Sequence, residues 1–306
     1  VMADETESLP AHLGDVHDER RRLLSMAYRM TGTLSDAEDV VQETYLRWYR
    51  LNEEERAEIV NPAAWLTRVG SRVALDLLGS ARARRERYVG EWLPEPVPAD
   101  LFAGTATEVD PADRVTLDDA VSTALLVVLE AMTPAERVAF VLHDVFAVPF
   151  DEIAGIVGRT PAATRQLASA ARRHVREQRS TLVAESDHDA TVRSFLAASR
   201  GGDIGELMKV LAPDVTLRSD GGGFVSAARR PVLGSDRVAR FVLGVVAKQP
   251  ALRVEETRMA DGLGYRLLAD HRTIGTANFR VVDGRIVDVW FMLNPEKLTS
   301  WLPRNI

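Results

Sequence analysis

Apolar and polar positions divide this chain into a helical first part and a mixed last part. Leu23, Leu24, Ala27 and Met30 recur at the spacing that places one stripe of a helix on a core, and Thr31-Gly32-Thr33 closes that helix. Ser35-Asp36-Ala37-Glu38 has the form of a capping box and opens a second helix to about Arg50, with Val41, Tyr45 and Trp48 on one face. Residues 53–58 read as an acidic loop. Asn61-Pro62 then supplies a cap and a first-turn proline for a third helix, through Trp65, Leu66, Val69, Val73 and Leu77. Pro94, Pro96, Pro98 and Pro111, with Gly90 and Gly104, predict an extended linker. Over 113–178 the helical period returns in four pieces, the last three starting at Pro134, Pro149 and Thr160-Pro161. After a boundary near 180–188 come two helix-like stretches, then β-type runs at 215–218, 252–257, 265–268, 276–282 and 286–292. Val282-Asp283-Gly284-Arg285 signals a hairpin, because Asp-Gly suits a two-residue turn with positive φ. This order predicts helical domains followed by an α+β domain.

A length of 306 residues fits two or three domains. The absence of cysteine removes disulfides, thiolate metal sites and cysteine nucleophiles together. No apolar run approaches the ~18–20 residues of a membrane span, and the acidic N-terminal stretch lacks the features of a signal peptide. We therefore expect a cytoplasmic protein with no membrane partner, no metal and no cofactor. The net charge of −7 argues against nucleic acid until its distribution is read. Residues 61–90 hold six arginines against two acids, and 159–180 hold six against one. DNA contacts need positive charge only locally, because salt screens the acidic surroundings beyond ~8–10 Å.

The strongest chemical signal is the second arginine block. A short helix from Phe150 meets a turn at Gly158-Arg159, and Thr160-Pro161 starts a long helix, the layout of a helix-turn-helix. At about 100° per residue, Arg165, Ser169, Arg172 and Arg176 share one stripe, facing away from Ala163, Leu167, Ala170, Ala171 and His174. Arg159, Thr160, Thr164 and Arg173 complete the candidate DNA-contacting set. In the first block Arg68 and Arg72 are four residues apart, and Arg82, Arg84 and Arg85 extend the track. Asn61 and Trp65 stand upstream, Trp65 being either a base-stacking residue or part of the core. A third surface, Asp36, Glu38, Asp39, Gln42 and Glu43, is acidic and of unspecified partner.

At this point the residues carry a family resemblance. The order Asp36-Ala37-Glu38-Asp39-Val40-Val41-Gln42-Glu43, then Asn61-Pro62, then Thr133-Pro134-Ala135-Glu136-Arg137 and the helix-turn-helix resembles extracytoplasmic-function (ECF) sigma factors. Trp92-Leu93-Pro94-Glu95-Pro96, Asp220-Gly221-Gly222-Gly223 and Asn294-Pro295-Glu296-Lys297-Leu298 narrow this to the group fused to a SnoaL-like domain. The resemblance implies a multidomain chain: tail 1–17, an all-α region 2 at 18–88, a linker at 89–112, an all-α region 4 at 113–179, a second linker at 180–187, and an α+β cone at 188–306. It implies docking of the acidic helix on the β′ clamp of RNA polymerase core and contact with the β flap. The Asn61 helix would read and melt the promoter −10 element, and the Thr160 helix would read −35. Three positions depart from the group: Phe224 replaces a basic residue, Arg72 stands where asparagine is common, and Ala170 where arginine is common.

For the last domain we expect a structural or regulatory role rather than catalysis. Asp220, Asp270 and His271 are the acid–base candidates, and no spacing singles one out. Phe195, Phe241, Phe279 and Trp290 are candidate linings of a small-ligand cavity. The three late motifs are the expected contacts between this domain and the linker, in a free monomer. Deletion after Met292 is then expected to change promoter output with the fold intact. Two other classes are a polymerase-independent helix-turn-helix regulator and a DNA-binding protein fused to a cyclase-like enzyme.

Overall fold

The computed structural model describes residues 11–85, 88–102, 122–178 and 185–302; side chains at 11–18, 81–85 and 177–178 lie outside that description. The described residues form two compact units, one drawn from 11–79 and 134–168, the other from 80–102, 122–133 and 169–302.

The first unit is helical. Helix α1 (Ala11–Thr31) starts ahead of the expected Asp18 and ends where Gly32, at φ 81°, donates back to Tyr28 O at 2.8 Å. Helix α2 (Leu34–Arg50) is capped by Thr33, whose side chain accepts from Asp36 N, so the expected cap at Ser35 is wrong by two residues. Thr33 wins because its backbone is extended there, as a cap requires, whereas Ser35 is already helical. The stretch read as an acidic loop contains a short helix, α3 (Glu53–Ala57), set by a reciprocal capping box between Asn52 and Glu55. Helix α4 (Pro62–Arg85) begins as expected, with Asn61 Oδ1 accepting from Ala64 N at 3.0 Å. Gly70 of α4 permits close packing, since a Cβ there would lie 3.2 Å from Thr44 Oγ1 and 3.4 Å from the Met26 methyl.

Helix α5 (Thr123–Glu130) belongs to the second unit, and the described part of the expected first helix begins there, residues 113–121 lying outside the description. Helix α6 (Pro134–Phe140) runs on as a π-helical turn over Val141–Val145. Helix α7 (Phe150–Val157) ends at Gly158, left-handed at φ 65°, and α8 (Pro161–Gln178) follows. Within the first unit, buried Arg137 of α6 donates to Met30 O at 2.9 Å, and Arg29 lies 5.7 Å from the Phe146 ring centroid.

The second unit contains the α+β domain. Helices α9 (Glu185–Gly201) and α10 (Ile204–Val210) precede β1 (Leu211–Asp220) and the two-residue β2 (Val232–Leu233). Helix α11 (Ser235–Lys248), which the sequence reading missed, leads to β3 (Arg253–Met259), β4 (Gly262–Ala269), β5 (Arg272–Val282) and β6 (Arg285–Met292). The six strands lie in the order β2-β1-β6-β5-β4-β3, with β1 and β6 parallel and every other pair antiparallel. Asp283 and Gly284, both at positive φ, make the expected two-residue β5–β6 turn between paired Val282 and Arg285. One sheet face packs on the helices through Val192, Phe195, Leu207, Val238, Tyr265 and Phe279. Phe195 and Phe279 meet edge to face at 5.1 Å as part of this core, with Phe241 packed against it; Trp290 lies in a separate cluster. The four aromatics therefore do not line one common cavity.

Candidate nucleic-acid interface and linker clamp

Thr160 opens α8 by accepting from Ala163 N at 3.2 Å, fixing the start of the helix against the turn. The buried stripe of α8 is Thr164, Ala168, Ala171 and Val175. Arg165, Ser169, Arg173 and Arg176 are exposed, as are Arg159 and Thr160, and Arg172 is half-buried. Two expectations fail. Thr164 is fully buried, its hydroxyl donating to Thr160 O at 3.0 Å, so it faces no DNA in this state. His174 is exposed, not packed, because the buried stripe is rotated from the one expected. Arg165 stacks over Phe150, 5.6 Å from its centroid, which orients the guanidinium beside the turn.

On α4, Asn61 and Arg68 are exposed, and Trp65 is half-buried edge-on to Trp48 at 5.2 Å. Arg72 is exposed but engaged, donating to Gly155 O of α7 at 2.7 Å. Arg82, Arg84 and Arg85 lie on the α4 backbone, with side chains outside the described residues. On α2, Glu38, Asp39 and Gln42 are exposed and Asp36 and Glu43 half-buried; Glu43 holds Arg47 at 2.8 Å. Leu46, Tyr49 and half-buried Tyr45 continue this surface, with the two tyrosine rings stacked at 6.3 Å.

The three late motifs meet at one carboxylate. Asp220, at 0% exposure, accepts from Tyr88 Oη at 2.6 Å and Gly222 N at 3.0 Å through Oδ1. Through Oδ2 it accepts from Leu93 N at 3.0 Å and Lys297 Nζ at 2.7 Å. Lys297 also donates to Leu93 O at 2.7 Å and sits 4.1 Å from the Trp92 ring centroid. Asn294 Nδ2 donates to Tyr88 Oη at 2.8 Å, and its Oδ1 caps the short 3₁₀ turn at Pro295 by accepting from Glu296 N. Trp301 Nε1 donates to Pro96 O at 2.8 Å. Pro94 and Glu95 are buried within the extended linker, and exposed Glu296 faces solvent. Leu93 and Leu298 share an apolar cluster with Met259, Trp290, Met292 and Trp301.

The glycines follow from this geometry. A Cβ on Gly221 would lie 2.6 Å from Val225 O, and one on Gly222, at φ 62°, 2.5 Å from Asn294 Cγ. Phe224 is 62% exposed and borders a cleft of about 360 Å³ beside Val89, Gly221 and Arg229. Burial first, then the hydrogen bond and charge of Asp220, push the Tyr88 hydroxyl above the usual phenol range, so it stays the donor. Tyr88 was missed at the sequence level, where it looks like one more residue of an arginine-rich helix end.

The helix-turn-helix, the arginine-bearing α4 and the acidic α2 define a bacterial sigma factor: Sigma-70 region 2 matches residues 16–84 and Sigma-70 region 4 residues 122–175. The chain is 44% identical to the ECF RNA polymerase sigma factor SigJ of Mycobacterium tuberculosis, over 92% of this chain and 91% of that one. It is 40% identical to the probable ECF sigma factor SigI of the same species over 73% of each. The crystal structure of M. tuberculosis SigJ matches with a TM-score of 0.72 at 39% identity, covering 94% of this chain and 98% of that one. The chain belongs to the ECF RNA polymerase sigma factors, and its last described residues form an α+β domain. Such a factor binds RNA polymerase core and promoter DNA. Among the described residues no helix is long and apolar enough to cross a membrane.

Proposed function

We propose that this cytoplasmic sigma factor reads −35 DNA with the exposed arginines of α8 and −10 DNA with α4, docks α2 on the polymerase clamp, and is regulated in cis by its last domain. The observation that carries the cis regulation is the convergence of Tyr88, Leu93 and Lys297 on Asp220. The linker between the two DNA-reading regions is gripped by side chains from a third domain, so its path depends on that domain. Asp270 and His271 support a non-catalytic reading, since both are exposed at positive φ in the tight β4–β5 turn. Asp220 supports it too, because both of its oxygens are already taken. Start-site mapping with purified core polymerase and a promoter library tests the DNA assignments. Discrete starts that need this protein, lost when Arg173 and Arg176 are changed to alanine, support the −35 role; unchanged starts overturn it.

A further inference from the structure

The β3–β4 hairpin makes contacts that the linker clamp does not use. Asp261 in its turn accepts from Ala124 N at 3.4 Å and from Asn278 Nδ2 at 3.0 Å, and Asn278 also donates to Thr123 Oγ1 at 3.2 Å. Thr123 and Ala124 are the first residues of α5, whose leading amides have no partners inside the helix. Ser122 caps only one of them, accepting from Leu125 N at 3.2 Å. A carboxylate from the α+β domain therefore completes the cap of the first helix in the region 4 match. Behind the cap, Ala124 and Val127 pack on the cluster built from Leu93, Trp290 and Met292.

The same hairpin grips two further segments. Ala99 N of the linker donates to Arg258 O at 3.3 Å, and Pro98 bridges to Met259. Arg258 pairs with Glu185 at 2.7 Å and Asp189 at 2.8 Å, at the start of α9. A Cβ on Gly262 would lie 3.0 Å from the His188 ring, which closes this side of the turn. One hairpin thus holds the segment leading toward region 4, its first helix, and the helix that follows it.

The α5 contact also has the marks of a joint that opens. Thr276 and Trp290 lie on the sheet face that carries Asn278, as the Thr276–Met292 and Asn278–Trp290 pairs show. Thr276 Oγ1 and Trp290 Nε1 are buried there without a hydrogen-bond partner among the described residues. Permanent cores rarely leave such groups unpaired, and exposure to water recovers the cost.

We propose that the β3–β4 hairpin is a latch on region 4: Asp261 and Asn278 fasten α5 to the α+β domain, and polymerase binding requires its release. The second half rests on the sigma reading; the first does not. Amide hydrogen exchange on the free full-length chain tests the fastening. Asp261→Ala should speed exchange of the amides at 123–126 at least tenfold while the β1–β6 peptides keep their protection. Asn278→Ala, which loosens the same helix from the sheet side, decides the matter if the first variant misfolds. Unchanged exchange at 123–126 in a folded variant overturns the latch. For release, the faster-exchanging variant should bind core polymerase several-fold more tightly, because more of it is competent when free. Faster exchange with equal or weaker core binding overturns the regulatory half and leaves a purely structural cap.

Discussion

Lys297 Nζ lies 2.7 Å from Asp220 Oδ2, with both side chains withdrawn from solvent and the ammonium under the Trp92 ring. Two charges placed so deeply are stable only while each answers the other, and here the linker backbone at Leu93 bonds to both. The pair makes the fold of the last domain depend on the linker, and the linker's path depend on the last domain.

Breaking one side of this pair should therefore cost more than removing both. Lys297→Met leaves the Asp220 carboxylate buried without its cation and should lower stability by about 3–5 kcal/mol. Adding Asp220→Asn should recover part of the loss. Urea unfolding of the two single variants and the double variant checks this; strictly additive losses would contradict a coupled pair.

The glycine at 222 should be intolerant of a side chain in a way that the glycine at 284 is not. Both have positive φ, but a Cβ at 222 meets Asn294 at 2.5 Å whereas nothing lies within 4 Å of one at 284. Gly284→Ala should cost only the ~1–2 kcal/mol of left-handed backbone. Gly222→Ala should cost more and make the linker sensitive to limited proteolysis. Equal effects would mean that Asn294 gives way freely.

On α8 the arginines and Thr164 should separate cleanly. Arg176→Ala should weaken binding to a −35 duplex and reduce the slope of log K against log salt by about 1. Thr164→Ala should leave that slope alone and lower the melting temperature, since it removes a buried hydroxyl bonded to Thr160 O. A salt-slope change for Thr164→Ala would place that side chain at the DNA after all.

Two carboxylates around the β3–β4 hairpin should respond to pH with opposite sign. Burial works against the Asp189 charge, but hydrogen bonds from His188, Arg258 and the Leu263 amide outweigh it and hold the carboxyl below its usual range. Asp261 is raised, since loss of solvent around it outweighs the hydrogen bonds from Thr123, Asn278 and Ala124. The stabilisation from Asp189 is thus present above the unfolded value of about 4 and lost as pH falls through its lower folded value. The burden of the Asp261 charge is relieved as pH falls through its raised value toward about 4. Relative to Asp261→Asn, the native chain should gain stability on acidification in that window. Relative to Asp189→Asn, it should lose stability below it. Unfolding curves across pH that show the reverse slopes would contradict both assignments.

Most helices and strands, though not α3 or α11, were legible because each depends on its own residues: period, proline starts and the Asp-Gly turn. Asn52 and Glu55 also carried a readable signal, a capping box overlooked inside an acidic run. The three late motifs were legible only through resemblance, and how they meet was not. Tyr88 and Leu93 reach Asp220 across more than 120 residues, and nothing in local spacing encodes such a contact. Asp261 looks like an ordinary turn residue until α5 is placed against it. The stripe of α8 was misjudged because a threonine can satisfy its hydroxyl on the preceding turn and be buried, while a histidine can stand in solvent. The deletion after Met292 should cost stability as well as change promoter output. That deletion removes Leu298 and Trp301, which are buried against Leu93.

The measurement that bears most directly on cis regulation is run-off transcription with purified core polymerase, comparing the native chain with Lys297→Met and the Lys297→Met/Asp220→Asn pair over a range of core concentrations. Transcripts from the same start sites, in amounts that differ several-fold between native and clamp-broken chains, are the predicted result. Identical yields at every core concentration, from variants whose linker is shown to be released, would contradict it.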